Sequence, residues 1–265
     1  MKYMHAPDGT RIAYERGGSG PPLVLVHGTA DDHSLWTHLL PALVEHFTVY
    51  ALDRRGRGAS DPANGATYAI EREFEDVAAA VDAVGEPAHL LGHSYGALCA
   101  LEATLRTNNV RSLVLYEPPI PIPPGNAICP PPVLERITAL RQAGDQEGVL
   151  LTFAREVARL PEDEINAARS APDWQTSVAA ARTIPDELLA IERYAFDPSR
   201  FRELTTPTLL LLGSASPPFL KVATEAIAAA LPSSRLAMLP EQGHLAMYTD
   251  PELFLDEVIQ FLSDA

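Results

Sequence analysis

The sequence predicts an α/β protein with a mostly parallel sheet flanked by helices, and with a helical segment inserted between two of the strands. Three observations support this class. Short apolar runs alternate with segments of helical periodicity toward both ends of the chain. These apolar runs lack polar alternation, which is typical of strands buried on both faces of a parallel sheet. Between residues 118 and 200 the alternation stops, and prolines followed by helical patterns replace it.

Composition restricts the class of protein and of partner. The chain has 265 residues, of which 46% are hydrophobic, so one domain with a large apolar core is expected. Its formal net charge of −15 repels phosphate backbones, which excludes nucleic acid as an expected partner. The first residues lack the apolar run of a secretory signal, and the apolar runs are too short to cross a bilayer. We therefore expect a cytoplasmic protein with a small-molecule partner and no membrane partner, and homo-oligomer formation stays open.

The N-terminal part of the chain is expected to supply the first strands and helices. The dipeptide Asp8-Gly9 is typical of a tight turn and predicts a β-hairpin. Predicted strands follow at residues 23–26, 47–52, 88–92 and 110–116, and predicted helices at residues 35–44, 71–84 and 97–105. The helix at 71–84 rests on apolar side chains that recur with the helical period, namely Phe74, Val77, Ala78 and Val81. Strands that alternate with helices predict a parallel sheet.

Prolines interrupt this rhythm between residues 118 and 132. They include Pro118-Pro119, Pro123-Pro124 and Pro130-Pro131-Pro132, which exclude both a continuous helix and a central strand. From about residue 133 to residue 193 the pattern is only helical. Strands return at residues 208–212 and 235–239, and an amphipathic helix at 251–262 closes the chain. We therefore divide the chain into a core of residues 1–117 and 201–265 and a helical cap, or lid, of residues 118–200. The proline-rich stretch is either a plain linker or a hinge of this cap.

The two cysteines do not suggest a disulfide framework, because two thiols are too few for one. Cys99 lies in an apolar helical stretch and is expected to be a buried packing residue. Cys129 lies among the prolines and could be a free thiol. A reducing compartment suits both.

The motif with the clearest chemical meaning is Gly92-His93-Ser94-Tyr95-Gly96. It follows the predicted strand 88–92 directly and precedes a predicted helix, which is the context expected of a nucleophile elbow. The elbow turns sharply from strand to helix, and glycines on either side avoid clashes of a Cβ. The serine is thereby raised above the C-terminal edge of the sheet, where open α/β sheets bind ligands.

Three further motifs follow predicted strands. His27-Gly28 ends the strand at residues 23–26, and Asp53-Arg54-Arg55-Gly56-Arg57-Gly58-Ala59-Ser60 follows the strand at residues 47–52. Gln242-Gly243-His244 follows the strand at residues 235–239. His244 therefore stands where a base for Ser94 is expected, after the last strand. The histidines do not show the spacing of a metal site such as H-E-x-x-H.

With these four motifs, the chain resembles the α/β-hydrolase superfamily over nearly its whole length, in particular the lid-bearing branch of small bacterial esterases, lactonases and haloperoxidase-like enzymes. The resemblance implies the α/β-hydrolase fold, Ser94 as nucleophile and His244 as base. It implies an oxyanion hole formed by the backbone N–H groups of Tyr95 and Thr29, or of Ala30 in place of Thr29. In the family, the Asp53 loop is structural, so Asp53 and Arg55 are expected to be scaffold. Neither a metal nor an organic cofactor is implied.

The chain departs from the family at the catalytic acid. The usual aspartate of a Gly-x-x-Asp sequence is absent, because the chain has Ser216 at that position after Gly213. Glu117, at the end of the strand 110–116, is the best substitute, because some relatives such as haloalkane dehalogenases place their acid at that strand end. Glu117 could instead be a structural residue at the junction with the cap. Weaker candidates are Glu241, Asp31 and Asp32.

The sequence predicts a serine hydrolase that cleaves an ester, thioester or lactone with an apolar portion through an acyl-enzyme. Its pocket is expected between sheet and cap. Four aromatic residues of the cap either line the pocket or pack within the cap: Phe153, Trp174, Tyr194 and Phe196. Leu35 and Trp36, which follow the oxyanion loop, either lie near the pocket wall or belong to the core. Two alternatives stay open because the usual acid is missing: cofactor-free chemistry such as C–C cleavage, cyclisation or perhydrolysis, and ligand binding at a degenerate triad.

Overall fold

The computed structural model describes residues 1–62, 68–122, 128–170 and 174–265, apart from the side chains of residues 163 and 167. Its centre is a sheet of eight strands: β1 (Lys2–His5), β2 (Arg11–Gly17), β3 (Pro22–Val26), β4 (Thr48–Leu52), β5 (Ala88–His93), β6 (Val110–Tyr116), β7 (Thr208–Gly213) and β8 (Ser234–Leu239). Their order across the sheet is β1-β2-β4-β3-β5-β6-β7-β8. β1 pairs antiparallel with β2, β2 pairs antiparallel with β4, and the remaining pairs are parallel.

The helices lie around this sheet. Within the described ranges they are α1 (Leu40–His46), α2 (Ile70–Val84), α3 (Tyr95–Ala103), α4 (Pro131–Gln142), α5 (Gln146–Thr152), α6 (Glu162–Ser170), α7 (Trp174–Ala180), α8 (Ile184–Arg193), α9 (Pro218–Ala230), α10 (Ala246–Thr249) and α11 (Pro251–Asp264). Short 3-10 segments at His33–Trp36, Ala181–Thr183 and Pro198–Phe201 and a π-helical turn at Phe153–Val157 complete them. No helix in the described part of the chain is both long enough and apolar enough to span a bilayer.

Two apolar layers cover the two faces of the sheet, as the continuous apolar runs predict. Every residue of β3, β5 and β7 is buried. Alternate residues of one strand face opposite layers, because successive side chains point to opposite faces. Leu23 and Leu25 pack with Phe254 of α11, whereas Val24 and Val26 pack with Phe74 of α2. The fold is thus the α/β-hydrolase arrangement expected from the sequence, and all parallel strands end at one edge of the sheet.

The helix expected at residues 35–44 is wrong in detail, because the structure divides it into a 3-10 turn at His33–Trp36 and helix α1 from Leu40. The cause is Pro41. Its ring would clash with the carbonyl four residues earlier, so a helix can start here but cannot pass through. The early hairpin is present as expected, with Met4 paired to Ile12.

The segment between β6 and β7 is helical in its described part, as the sequence indicates, and contains α4 to α8. The prolines do not stop α4 from starting at Pro131, two residues earlier than expected. Pro131 and Pro132 occupy the first helical turn, where the missing N–H has no intrahelical partner to lose. Pro123-Pro124, which also belongs to the expected hinge, lies outside the described residues.

Candidate active site

Ser94 stands at the turn between β5 and α3, with φ 53° and ψ −123°. A positive φ is strained for a residue with a Cβ, and such strain concentrates at functional sites. The serine N–H donates to the carbonyl of Tyr116 at 2.8 Å, which ties the turn to β6. The side chain is only 9% exposed and lines a cavity at the carboxyl edge of the sheet. The strand-turn-helix context predicted for this serine is therefore present.

The glycines around Ser94 are required by close backbone approach. A Cβ on Gly92 would lie 2.5 Å from the carbonyl oxygen of Gly96, and a Cβ on Gly96 would lie 2.4 Å from that of His27. On the facing loop, a Cβ on Gly28 would lie 3.1 Å from the Cβ of Ser94. The absence of these side chains lets α3 cross the end of β3 closely and brings the loop after β3 against the serine.

His244 lies in the loop between β8 and α10, lines the same cavity as Ser94, and is 8% exposed. Its Nδ1 is 2.5 Å from Oε2 of Glu117, a residue with no exposed surface. A carboxylate only accepts hydrogen bonds, so the imidazole donates from Nδ1 and keeps the lone pair of Nε2 free. The structure thus brings together the predicted base and the predicted acid, although 127 residues separate them.

Glu117 also occupies the place left by the missing aspartate. Its Oε1 accepts a hydrogen bond from the N–H of Gly213 at 2.7 Å and another from the hydroxyl of Ser216. Both donors belong to the end of β7, where the family's acid would stand. Glu117 has φ 50°, so its backbone is strained in the same way as that of Ser94. Three hydrogen bonds from different elements fix the orientation of this buried carboxyl group.

The loop that carries His244 is anchored by residues at the ends of β5 and β6. The hydroxyl of Tyr116 donates to the carbonyl of Gly243 and accepts from the N–H of Ala246 at 3.2 Å. Nε2 of His93 donates to the carbonyl of His244 at 3.0 Å, and the two imidazole rings lie 4.6 Å apart. Burial, and then the charge of His244, hold the pKa of His93 well below its usual range, so this ring stays neutral. The two anchors are the residues directly before Ser94 and Glu117 in sequence.

The two expected oxyanion elements also meet at the cavity. Tyr95 is the first residue of α3, and the first N–H groups of a helix have no intrahelical acceptor. Thr29 and Ala30 both line the cavity, and Ala30 has φ 62°. The choice between Thr29 and Ala30 as second donor therefore stays a prediction.

Sequence reasoning missed Arg54, which supports both oxyanion elements from behind. Its backbone N–H donates to Nε2 of His27 at 3.0 Å, and its Nη1 donates to the carbonyl of Gly28 at 2.9 Å. Its guanidinium lies over the ring of Tyr95, with Cζ 4.2 Å from the centroid. The neighbouring Asp53 has the scaffold role expected of it, accepting from Ala59 N–H at 2.8 Å. The motif contains three arginines, and the sequence around them does not indicate that Arg54 is the one that contacts both elements.

The cavity has a volume of about 370 Å³ and is bounded on one side by the sheet edge and on the other by helices between β6 and β7. Of the aromatic candidates, Phe153 and Trp174 line it. Leu35 also lines it, whereas Trp36 is buried in the core. The other two pack within the molecule: Tyr194 donates from its hydroxyl to Glu102 at 2.7 Å, and the Phe196 ring lies 5.6 Å from that of Phe201.

Of the weaker acid candidates, Asp31 lines the cavity, and the other two are engaged elsewhere or exposed. Asp32 caps a 3-10 turn by accepting from Ser34 N–H at 2.8 Å, and Glu241 is exposed. Asp32, His33 and Asp53 form one group whose ligand atoms lie within 4.8 Å of one another. His33 Nδ1 already contacts Asp53 Oδ1 at 2.6 Å, so the group is satisfied by its own hydrogen bonds.

Comparisons with known proteins give the same architecture. Residues 23–257 match the model of a family described as the Alpha/beta hydrolase family. An alpha/beta hydrolase from Sphaerobacter thermophilus has a crystal structure that superposes with a TM-score of 0.86 at 33% identity, over 98% of this chain and 100% of that one. Two curated relatives match shorter stretches. N-formylmaleamate deformylase of Pseudomonas putida is 34% identical over 139 residues, which are 51% of this chain and 52% of that protein. A Mycobacterium tuberculosis protein named Probable oxidoreductase EphD is 37% identical over 102 residues, so this chain covers only 17% of its length.

Proposed function

Because the chain belongs to the alpha/beta hydrolase family, we propose that it is a serine hydrolase that cleaves a carboxylic ester, thioester or lactone with an apolar portion through an acyl-enzyme. One observation carries the proposal. Ser94 and His244 line one cavity, and Nδ1 of His244 is paired with the fully buried carboxyl group of Glu117. In this proposal residues 118–200 form the cap over the site.

The first half of the reaction forms the acyl-enzyme. Ser94 Oγ attacks the substrate carbonyl, and Nε2 of His244 takes the proton from that oxygen. Glu117 keeps the proton of His244 on Nδ1 and stabilises the imidazolium that results. The negative charge on the carbonyl oxygen is stabilised by the N–H groups of Tyr95 and Thr29. The tetrahedral intermediate then collapses: the bond to the leaving group breaks, and His244 gives that group its proton.

The second half releases the acid. Water enters, His244 takes one of its protons, and the hydroxide oxygen attacks the acyl carbon. A second tetrahedral intermediate collapses with Ser94 Oγ as the leaving group, and His244 returns the proton to it. Three of the residues with a positive φ, Ala30, Ser94 and Glu117, follow strands β3, β5 and β6. In this proposal these three strand ends carry the oxyanion loop, the nucleophile and the acid. The strain of a positive φ costs about 1–3 kcal/mol each and supports a preorganised site.

The apolar walls of the cavity support an apolar substrate portion. Phe153 and Trp174 line it together with aliphatic side chains of the helices between β6 and β7. A volume of about 370 Å³ lies within the range of pockets that hold small organic molecules.

The test is hydrolysis of p-nitrophenyl esters of graded chain length by the wild type, Ser94→Ala and Glu117→Gln. We expect the wild type to turn over and Ser94→Ala to lose about 10⁵–10⁶-fold in kcat, because the nucleophile is gone. Glu117→Gln should lose about 10³–10⁴-fold, because the amide no longer fixes the useful imidazole tautomer. A fluorophosphonate probe should label the wild type and not Ser94→Ala.

The control is Ser170→Ala, which removes the hydroxyl of an exposed serine on α6. It should label and turn over like the wild type, and circular dichroism should show all variants folded. A folded wild type that neither labels nor hydrolyses any ester would overturn the proposal. A Glu117→Gln variant with full activity would remove Glu117 from it while keeping Ser94.

Both alternative functions are suggested by the absence of the usual aspartate after β7. A ligand-binding protein with a degenerate triad requires that His244 lack a carboxylate partner, whereas Glu117 lies 2.5 Å from its Nδ1. Cofactor-free chemistry other than hydrolysis would use the same Ser94 and His244. The pairing of His244 with Glu117 beside a serine elbow therefore supports catalysis over ligand binding, and turnover of the p-nitrophenyl esters distinguishes hydrolysis from the other chemistry.

A further inference from the structure

Among the described residues that line the cavity beside Ser94 there are two carboxylates but no lysine or arginine, and its two imidazoles are those of His93 and His244. Asp31 and Glu164 contribute its carboxyl groups, and its remaining lining is mainly apolar. The three stretches outside the described ranges, residues 63–67, 123–127 and 171–173, contain neither Lys nor Arg in the sequence. A permanently charged cationic partner for a bound anion is therefore missing from the described lining.

Glu164 is close to the groups that would react. It lies on α6, and its Oε1 is 3.5 Å from where a Cβ on Gly243 would stand, directly before His244 in sequence. Its charge also acts on Tyr116, which anchors the loop of His244. Burial, then the charge of Glu117, and to a lesser degree that of Glu164 raise the pKa of the Tyr116 hydroxyl well above its usual range. The carboxyl group of Glu164 is thus placed where it acts on the electrostatics of the site.

One arginine, Arg159, contacts a residue of this lining without lining the cavity itself. Arg159 lies over the ring of Phe219, with Cζ 5.1 Å from the centroid, and Phe219 lines the cavity. Arg159 itself is exposed and is not among the lining residues. A charge in water is screened by solvent and salt, whereas a charge inside an apolar cavity is screened much less.

We propose that the enzyme selects substrates without negative charge, neutral or cationic in the portion that enters this cavity, and that Glu164 is a residue that determines this specificity. The proposal rests on the proposed hydrolase function and adds the charge class of the substrate. A carboxylate on the substrate would be desolvated beside Glu164 with no cation to pair with, which disfavours its binding and its reaction equally. A quaternary ammonium group of the same size would gain attraction instead.

The experiment compares three p-nitrophenyl esters of matched length. The acyl groups are 6-oxoheptanoyl, which is neutral, the adipoyl monoanion, and 5-(trimethylammonio)pentanoyl, which is cationic. For the wild type, Glu164→Gln and Glu162→Gln, kcat/KM is measured for each ester. The value for the anionic or the cationic ester is then divided by the value for the neutral ester. Glu162 is a matched control, because it lies on the same helix, is exposed at 61% of its side chain and pairs with Arg155 outside the cavity. It undergoes the same chemical change as Glu164.

We expect the wild type to use the anion at least about tenfold less well than the neutral ester, which corresponds to about 1.4 kcal/mol. Glu164→Gln should raise the anion-to-neutral ratio about tenfold and lower the cation-to-neutral ratio, whereas Glu162→Gln should leave both unchanged. Equal use of anion and neutral ester by the wild type would overturn the inference, as would equal shifts in the two variants.

A binding measurement separates this inference from the proposed hydrolase function. The N-methyl amides of the same three acids are titrated calorimetrically into Ser94→Ala, with and without Glu164→Gln. A weaker Kd for the anion that Glu164→Gln relieves supports the charge selection even if no ester is hydrolysed, in which case only the hydrolase proposal fails. Equal Kd values for the three amides would overturn the selection while leaving ester hydrolysis to its own test.

Discussion

Glu117 and Ser216 face each other where β6 and β7 end, and their contact shows how the site manages without the usual aspartate. Oε1 of Glu117 accepts from Ser216 while Oε2 accepts from His244. A carboxylate from β6 therefore reaches the histidine across the place where a carboxylate from β7 would stand. In the proposed mechanism the chemistry needs one negative group at Nδ1 of His244, and two neighbouring strand ends can supply it.

This geometry predicts that the acid can be moved back to β7. In the Glu117→Gln background, Ser216→Asp should restore part of the lost kcat, about tenfold or more, because a carboxylate again accepts from Nδ1. Ser216→Asp alone should lower activity, since two carboxylates would then share one site. The measurement is kcat for a p-nitrophenyl ester in the four combinations. The idea fails if the double variant is no more active than Glu117→Gln in a folded protein.

For single residues, the sequence predicts the functional groups that are marked by their neighbours in the chain. It does not predict the groups whose role depends on a contact with a residue far away in the chain. Ser94 and His244 were identified because each follows a strand in a recognisable context. Glu117 could only be named as the best of several acids, because its reach to a histidine 127 residues away has no local pattern. No sequence pattern singles out Glu164, because it is one of many glutamates in the chain and lies in an ordinary helical segment.

Among the elements, the contact of α8 with the loop after β4 and with α2 depends on a buried cluster of charges. Glu187 of α8 accepts from Arg54 and Arg57, which both also contact Glu73 of α2. All four side chains are at most 3% exposed. Burial opposes the ionisation of Glu73, but the charges of Arg54 and Arg57 outweigh this and lower the pKa of that carboxyl group. Because Arg54 also donates to the carbonyl of Gly28, helix α8 and the loop after β3 share one ionic network.

Glu187→Gln is expected to destabilise the protein by about 3–5 kcal/mol, because two buried guanidinium groups lose half of their compensating charge. Chemical denaturation followed by circular dichroism measures this. The comparison is Glu147→Gln, which breaks the exposed pair of Glu147 with Arg169 at 3.1 Å and should cost about 1 kcal/mol or less. Equal losses in the two variants would mean that the buried cluster does not hold α8 to the core.

The elements themselves were largely predictable, and the failures have local causes. Strands buried on both faces were found because their apolar runs are continuous. The helix expected at 35–44 failed because apolar periodicity continues across Pro41, whereas the backbone cannot. The ionic contact of α8 with the core was not predictable, because it joins charges 130 residues or more apart.

For the whole molecule, the buried histidines decide how stability responds to pH. Burial, and then nearby positive charge, lower the pKa of His27 and His93 well below the usual range, and burial lowers that of His89 to about 4. His33 differs, because its hydrogen bond to Asp53 raises its pKa. In the unfolded chain all four titrate near about 6.5. Below that value the unfolded chain takes up protons that the three buried rings do not bind, so these three rings contribute a fall in the free energy of unfolding as the pH falls.

His89→Asn isolates one such contribution. His89 contacts Ser112 at 2.7 Å and packs its ring edge against Phe47, away from the cavity. Since its pKa is depressed in the folded state, its stabilisation is present above about pH 6.5 and is lost toward pH 4, at up to about 1.4 kcal/mol per pH unit. His33→Asn should act in the opposite window, because a raised pKa gives stability that is complete below about pH 6.5 and is lost above it. Urea denaturation at pH 5, 6, 7 and 8 should therefore show a shallower acid slope for His89→Asn and a shallower alkaline slope for His33→Asn. An unchanged acid slope in His89→Asn would mean that its ring is protonated within the folded protein.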